Sequence, residues 1–436
     1  MESGDYTVLQ YPENTASLAS ENNKALKRIG VSSKAFVRKT FKKALIVSNE
    51  GLSFLRFYNL HWATGFLPTW KPLFPLASFS AFQGSFWAWV NEFLRRIVYK
   101  IPLHWRFQYL LGSLVNRYRA KQLSFFSDVD IIHCYTGDVA GRAPAAVIKH
   151  FHIPGLAAWQ GSEARIAEVE QQDNPYFRFL LDRQGRSVNA LTLPAVARQR
   201  YCCDELGFEP LVTRDMLQYV LPEYREHVHI TTHPVEIDHE PAYPDPAKRR
   251  PLILHAPSKR DVKGTVFLER ALDALRARGI EFDYEYLTGV KHETVLEAMA
   301  RCDIFCDHFL LGNVCVAALE AMSYGKPTVF YLKESIEALY PPELSFMNAN
   351  PDNLASRLYL LIKDGELRAD LGRRSRAYIE RYHAPALVAK GLDGIYRELL
   401  SRKQKVGGNG AVIDPREALE AATRSFFAQF RGEATS

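Results

Sequence analysis

The sequence predicts an α/β protein made of two doubly wound domains in tandem, and three observations support this expectation. Strand-like and helix-like segments alternate along the chain, a pattern typical of parallel sheets covered by helices. In the second half, glycine and proline follow the helix-like segments, as they do at helix C termini. A stretch rich in proline and charge, 235–251, separates the two halves and indicates an interdomain linker. A length of 436 residues suits two or three domains.

The first half opens with a β-α-β pattern and later resumes it. Apolar residues between 16 and 29 recur at helical spacing, and Gly30 is placed to end that helix. We expect helices at 16–29 and 140–151 and a mostly helical stretch at 165–224. The expected strands are 6–11, 34–38, 129–134, 155–159 and 227–231. This predicts a first domain, 1–234.

The second half repeats the alternation with clearer boundaries, since Gly279 and Gly325 each follow a helix-like segment. The expected helices are 265–278, 293–301 and 315–324. The expected strands are 252–256, 282–287, 304–307 and 328–331. This predicts a second domain at 252–400, a flexible spacer at 401–410 and a C-terminal segment, 411–436. We expect its amphipathic helix, 415–430, to pack back on the first domain.

Composition excludes several classes of protein. A hydrophobic share of 47% with 24% charged residues is that of a globular chain. No run approaches the roughly 18 to 20 apolar residues that cross a bilayer, and the first five residues do not resemble a signal peptide. The six cysteines show no metal-binding or disulfide spacing. We therefore expect a cytoplasmic protein with reduced thiols and no metal site.

One segment, 51–127, is both basic and aromatic. It holds nine Lys and Arg residues, a single acid, Glu92, and five of the six tryptophans. Such a segment suits an anionic bilayer surface or nucleic acid, or it builds the core and acceptor groove of the first domain. We favour membrane binding through 54–121 over a core and acceptor groove, because a core insertion has no reason to exclude Asp and Glu from its exposed face, and we expect no nucleic-acid partner.

The loops that follow the strands are where ligands bind in open parallel sheets. After the first strand of the second half, PSKRDVKGT places Arg260 and Lys263 before a helix, where backbone N–H groups favour an anion, and Gly264 permits close approach. Further on, Gly289 and Val290 suit a flat ring. Glu320 offers a carboxylate that can accept two hydrogen bonds from a vicinal diol.

Taken together, these loops resemble the nucleotide-sugar half of retaining GT-B glycosyltransferases of the family-4-type, or group 1, superfamily. The resemblance rests on HAPSKRDVKGT, LTGV and DHFLLGNVCVAALEAMSYGKPTVFY, and it covers most of 252–400. EAMSYGKP is its most specific part. In the first half the likeness is looser. It lies in the Asn14 loop, the DVDIIHCY strand and QGSEAR, which is similar to the G-S-D-x-R element of bacterial members.

The resemblance implies a GT-B architecture, with two Rossmann-like domains facing across a cleft. It implies that Arg260 and Lys263 hold the donor diphosphate, that Val290 lines the base pocket and that Glu320 binds the ribose. Asp307 and Gln160 are the candidates for catalysis. The other donor-side candidates are Ser258, Gly264, Gly312, Asn313 and Val314. The acceptor-side candidates are Asn14, Gly161, Ser162, Glu163 and Arg165.

The chain departs from the family pattern at two places. Members usually have a glutamate eight residues before the ribose-binding one, where it meets the donor sugar, and here that position is Gly312. Some members instead carry D-Q-x-x-x-G, which 307–312 follows with His308 in place of glutamine. A histidine often precedes the G-S-D element, where this chain has Gln160.

The function implied by the resemblance is transfer of a sugar from a nucleotide-diphosphate donor to a glycan or lipid-linked acceptor. Retention of the anomeric configuration, independence of metal and the absence of a cofactor follow from the same resemblance. The location expected for such a protein is the cytoplasm, peripherally on the inner face of the membrane. The departures keep a second class open, a catalytically silent GT-B scaffold that binds a glycan or an assembly partner in cell-surface polysaccharide synthesis.

Overall fold

A computed structural model of the protein describes residues 6–11, 17–38, 53–55, 128–136, 142–182 and 192–406, together with 123, 126, 185, 187, 190 and 417. Within these residues two parallel sheets, each covered by helices, form two α/β units in succession. The predicted fold class is therefore confirmed. No helix in the described ranges is long and apolar enough to cross a membrane.

The first sheet is parallel and has the strand order β3-β2-β1-β4-β5-β6-β7. All residues of β4 and β5 are buried, as expected for central strands of a parallel sheet. Its strands are β1 Thr7–Tyr11, β2 Ser32–Arg38, β3 Ser53–Leu55, β4 Ile131–Tyr135, β5 Gly155–Trp159, β6 Glu209–Val212 and β7 His229–Ile230.

Strand β6 corrects one prediction from the sequence. It lies inside 165–224, which was expected to be mostly helical, and pairs in parallel with β5. A four-residue buried strand has no apolar alternation to reveal it, and Pro210 argues against a strand when only the sequence is considered. Pairing with the sheet decides the conformation.

The second sheet is also parallel, in the order β12-β11-β10-β8-β9. Its strands are β8 Leu252–His255, β9 Asp283–Tyr286, β10 Ile304–Cys306, β11 Thr328–Phe330 and β12 Met347–Asn348. The four strands predicted in this half match β8 to β11 to within one or two residues at each end.

Helices flank both sheets. Those that follow first-domain strands are α1 Leu18–Arg28, α2 Arg142–His150, α3 Ala167–Asp173 and α4 Thr192–Arg200. Those of the second half are α5 Arg260–Lys263, α6 Thr265–Ala277, α7 His292–Arg301, α8 Val316–Ser323, α9 Glu334–Glu337, α10 Leu354–Lys363, α11 Gly365–Tyr382 and α12 Pro385–Val406. Short 3-10 helices occupy Phe177–Leu180, Arg214–Tyr219 and Pro222–His227.

Helix α12 returns to the first sheet. Its buried residues share a core with α1 and with β1 and β4. From the sequence, 385–400 was expected to belong to the second domain. Tyr396 lies 2.6 Å from Nδ1 of the buried His133, and Tyr6 donates a hydrogen bond of 2.5 Å to Asp393. A helix from the second half thus completes the core of the first domain.

Three predictions concern residues outside the described part of the chain. They are the membrane-binding segment 54–121, of which only residues 54 and 55 are described, the Asn14 loop and the helix at 415–430. Of that helix Glu417 alone is described, and its carboxylate lies 3.6 Å from His150 Nε2 on α2.

Candidate functional site

The loop between β8 and α6 is held in place by His255. Its Nδ1 lies 2.8 Å from the carbonyl oxygen of Cys306 and its Nε2 lies 2.9 Å from the hydroxyl of Thr265. Burial lowers the pKa of His255 to about 4, so the ring is neutral and donates from Nδ1 to the carbonyl. Gly264 has φ 73°, and a Cβ there would meet Leu310 at 3.0 Å. The hydrogen bonds of His255 and the lack of a side chain at Gly264 allow this loop to pack closely against the loop that follows β10.

Lys263 and Asp307 form a buried ion pair in that contact. Nζ lies 2.5 Å from Oδ1, and both residues are nearly inaccessible to water. Burial lowers the pKa of the Lys263 ammonium, but Asp307 and Cys315 outweigh it and hold the pKa above its usual value. Burial raises the pKa of Asp307, yet Lys263 and His308 bring it below the usual value. Both side chains are therefore charged at neutral pH.

Arg260, the other predicted diphosphate ligand, has a different environment. Its guanidinium is exposed, pairs with Glu269 on α6 and lies 5.9 Å from the centre of the Tyr286 ring. The predicted pair therefore divides into one buried cation and one cation in water. Ser258 in the same loop is exposed as well.

The charges of two buried cations, one from each domain, act on the residue that precedes α8. The thiol of Cys315, the residue before this helix, interacts with Lys263 and with Arg165 of the first domain, and burial raises its pKa to about 11. Arg165 is buried. Burial lowers the pKa of its guanidinium, but Tyr219 and Glu170 above all outweigh this effect. The helix terminus adds free N–H groups, so this point favours an anion.

An open cavity of about 350 Å³ lies between the two domains beside α8. Its walls come from α1, from the linker and from α7 and α8, and they include Glu21, His239 and Tyr324. The His239 and Tyr324 rings stack with centroids 4.0 Å apart. Glu320 lines the same space, and its Oε1 lies 2.8 Å from Nε2 of His292, the first residue of α7.

On the other side of α8 the domains are joined by a buried lysine. Lys333 of the second domain has only 2% of its side chain exposed, and its Nζ lies 2.8 Å from Asp173 Oδ1 and 3.9 Å from Glu170 Oε2. It also donates to Gln218 at 3.2 Å, and Ser335 donates to the second oxygen of Asp173 at 2.6 Å. Donors of one domain thus meet carboxylates of the other.

Asp215 makes a second bridge of this kind. It accepts hydrogen bonds from Asn313 and from Tyr340, each at 3.2 Å. Asn313 was predicted on the donor side, and its amide instead joins the domains. Its neighbour Val314 is buried beside Tyr340 and His383.

The first-domain element QGSEAR folds largely on itself. Oε1 of Glu163 accepts the backbone N–H groups of Gln160 at 2.6 Å and Gly161 at 2.9 Å, and Ser162 is exposed. The side-chain oxygen of Gln160 is buried without a hydrogen-bond partner among the described residues. Arg165 is thus the predicted acceptor-side residue that reaches the second domain.

Asp307, His308 and Cys315 each offer a ligand atom within 4.8 Å of the others, a spacing that suits a metal ion. The Lys263 ammonium, however, already lies 2.5 Å from Asp307 and contacts Cys315. The Nε2 atom of His308 lies 2.7 Å from the Asn313 carbonyl oxygen. The charge that a cation would supply is present in Lys263.

The structure pairs Lys263 with Asp307 and places Glu320 just over one turn into α8, with Val290 half-buried against α7. Asn14 lies outside the described residues. Sequence reasoning missed His292, Lys333, Glu170, Asp173 and Asp215. No local motif marks these residues, because their partners are distant in sequence.

Residues 264–378 match the family model of glycosyl transferases group 1. No curated protein sequence matches the chain. Among solved structures, sucrose-phosphate synthase from Thermosynechococcus elongatus has a TM-score of 0.54 at 13% identity, over 91% of this chain and 99% of that chain.

Two further structures are similar over nearly the whole chain. The catalytic domain of starch synthase IV from Arabidopsis thaliana, bound to ADP and acarbose, has a TM-score of 0.51 at 15% identity and covers 92% of this chain and 100% of its own. HepE from Anabaena, in complex with UDP-glucose, has a TM-score of 0.50 at 12% identity, with 91% and 99% covered. At these identities the likeness shows the fold.

Proposed function

We propose that this chain, which has a GT-B fold and matches the family model of glycosyl transferases group 1 over residues 264–378, transfers a sugar from a nucleotide-diphosphate donor to a glycan or lipid-linked acceptor. Transfer proceeds with retention of the anomeric configuration and without a metal. The observation that carries the proposal is the buried Lys263, which pairs with Asp307 and contacts Cys315 just before α8, beside a cavity lined by Glu320.

The charges at this point suit a departing diphosphate. When the bond between sugar and phosphate breaks, negative charge develops on the leaving oxygen. Lys263, Arg165 and the N–H groups at the start of α8 provide positive charge there. Because Lys263 and Arg165 are buried, their effect on that oxygen is less screened by water. In this structure Asp307 forms an ion pair with Lys263 and so holds the ammonium in the position where it would meet the diphosphate.

The cavity beside α8 suits the nucleoside half of the donor. Its 350 Å³ lies within the range of ligand pockets, and Glu320 presents carboxylate oxygens to it for a ribose diol. Since α1 belongs to the first domain, a nucleotide here touches both domains. HepE with UDP-glucose and starch synthase IV with ADP support this donor class and leave the base open.

Calorimetry with UDP, GDP and ADP tests the donor site and identifies the base. Lys263→Ala removes a charge-assisted contact worth about 1.5 to 3 kcal/mol, so affinity should fall by about 10- to 100-fold. We expect a smaller loss for Arg260→Ala, because water screens this exposed cation. Lys248→Ala is a matched control, since Lys248 pairs with Asp303 at 2.5 Å at the opposite end of β8. Unchanged binding by both loop variants would contradict the diphosphate assignment.

The acceptor is proposed to arrive from the inner face of the cytoplasmic membrane. The support is the sequence of 54–121, with its tryptophans and its excess of Lys and Arg. Sedimentation with anionic and neutral liposomes tests it. Binding should increase with anionic lipid, decrease with salt and be lost when Arg95, Arg96 and Lys100 are changed to Glu. Equal recovery with both liposomes would instead indicate a soluble acceptor.

A second candidate function, a catalytically silent scaffold that binds a glycan or an assembly partner, is favoured by one observation. Lys333 fills the space beside Gly312, where family members have a sugar-contacting glutamate. Incubation with a panel of nucleotide sugars separates the two candidates. Slow hydrolysis of one of them supports the enzyme. Nucleotide-sugar binding with neither hydrolysis nor transfer to any acceptor supports the scaffold.

A further inference from the structure

We propose that His292 is a positioning residue that fixes the Glu320 carboxylate for a ribose diol and so makes this site select ribonucleotides over 2′-deoxyribonucleotides. The inference rests on the proposed function. It concerns a residue that lies 28 positions from Glu320 in sequence and that comes from a different helix.

The imidazole of His292 is placed to restrain the Glu320 carboxylate. Nε2 lies 2.8 Å from Oε1 of Glu320, and the two side chains retain 11% and 19% of their exposure at the cavity wall. An unrestrained glutamate on the edge of a 350 Å³ cavity has several rotamers, and fixing one of them reduces the entropy lost on binding. The bond to His292 uses one oxygen. It leaves Oε2, and the second lone pair of Oε1, to accept the two hydroxyl groups of a ribose.

The surroundings favour the protonated ring. Burial lowers the pKa of His292, but the bond to Glu320 outweighs it, and Glu293 and Glu21 add to the same effect, so the pKa stands above its usual value. The other charged or titratable groups that line the cavity are Lys24 and Arg28 on α1, Glu236 and His239 in the linker, and Tyr324 after α8, whose pKa is raised by burial. Burial and then Arg376 lower the pKa of His239, so His239 is neutral where His292 titrates.

A dependence on pH follows from these charges. Protonated His292 holds Glu320 by a charge-assisted bond and adds positive charge near an anionic nucleotide. Affinity should therefore be highest below the pKa of His292 and fall as pH rises through it. The nucleotide's own titration is common to all variants and cancels in a comparison.

The test uses the full chain and measures binding of UDP, GDP and ADP and of their 2′-deoxy analogues between pH 6 and pH 9. In His292→Ala the preference for the ribonucleotide should fall at least fivefold. His292→Gln keeps an N–H donor, so it should keep most of that preference and lose the pH dependence. His229→Gln is the matched control, because His229 pairs with Glu209 at 2.6 Å on the edge of the first sheet.

The possible results separate this inference from the proposed function. If none of the three nucleotides binds the wild-type chain, the proposed function fails and the inference fails with it. If a ribonucleotide binds and His292→Ala retains the full ribose preference and the wild-type pH profile, the inference alone is overturned. A loss of preference in His292→Ala that His292→Gln restores supports it, and melting curves of both variants show that the fold is intact.

Discussion

The side chain of Lys333 lies where a side chain at position 312 would lie. A Cβ built on Gly312 would be 2.3 Å from Lys333 Cγ and 2.9 Å from its Cδ. Gly312 also has φ 67°, a conformation that favours glycine. Glycine at 312 and the buried lysine at 333 are therefore one structural feature. The space beside position 312 is occupied by the lysine of an ion pair between the domains.

Restoring the family residue should damage the protein. Gly312→Glu forces a side chain into left-handed backbone, which costs about 1 to 2 kcal/mol, and displaces the buried Lys333. We expect a loss of about 3 kcal/mol or more in thermal stability, measured by the melting temperature. In the double variant Gly312→Glu with Lys333→Ala, part of the lost stability should be recovered, because the side chain introduced at position 312 no longer overlaps with that of residue 333.

Gly289→Ala is the control for backbone strain. Gly289 has the same φ of 67°, and nothing lies within 4 Å of a Cβ built there. It should lose only about 1 kcal/mol. If Gly312→Glu and Gly289→Ala have the same melting temperature, displacing the Lys333 side chain costs no stability.

Loss of the Lys333 ammonium should loosen the contact between the domains. Lys333→Ala removes a buried ammonium from Asp173 and Glu170, and breaking a buried ion pair costs about 3 to 5 kcal/mol. A lower melting temperature and faster proteolysis within the linker are the expected results. Lys149→Ala removes an exposed pair with Glu205 and should leave the melting temperature nearly unchanged, because water screens the pair. Equal effects of the two variants would argue against a bridge between the domains.

Stability should fall on the acid side because His133 is buried in the neutral form. Burial lowers its pKa to about 3, below the value of about 6.5 in an unfolded chain. Between these values the unfolded chain binds more protons. The stabilisation is thus complete above pH 6.5 and is lost as pH falls, by about 2 kcal/mol between pH 7 and pH 5.

Melting curves of His133→Gln over this range check the prediction. The variant should be less stable at pH 7, but its stability should depend less on pH than that of the wild type. His227→Gln, at an exposed position, should leave the dependence unchanged. If the stability of His133→Gln depends on pH as strongly as that of the wild type, other groups cause the acid sensitivity.

The first domain should depend on α12. Tyr396 is fully buried, and its hydroxyl lies 2.6 Å from His133 Nδ1. Tyr396→Phe should cost about 1 kcal/mol and Tyr396→Ala about 3 to 5 kcal/mol, measured by melting and by hydrogen exchange in β1 and β4. Leu387→Ala on the same helix is the control, since Leu387 is 49% exposed. If Tyr396→Ala leaves the exchange of β1 unchanged, α12 is not part of that core.

The class of fold and most strands of the second domain could be predicted from the sequence, because the information is local. A strand, its loop and the following helix are contiguous, and Gly279 and Gly325 each follow a helix at a positive φ. The same locality placed Lys263 and Glu320 on loops or helices at the carboxyl edge of the second sheet. Strand β6 was not predicted, because four residues, Glu-Pro-Leu-Val, show no strand pattern and adopt the conformation that the neighbouring strand imposes.

Only the tertiary structure decided which side chains meet. Lys263 and Asp307 are 44 positions apart, and Lys333 and Asp173 are 160 apart. No periodicity links such pairs, since contacts between elements depend on how sheets and helices pack in three dimensions. The same reason explains why Arg260 and Lys263, neighbours on one turn, differ in burial. One faces water and the other faces Asp307, and the packing of the loop after β10 makes that difference.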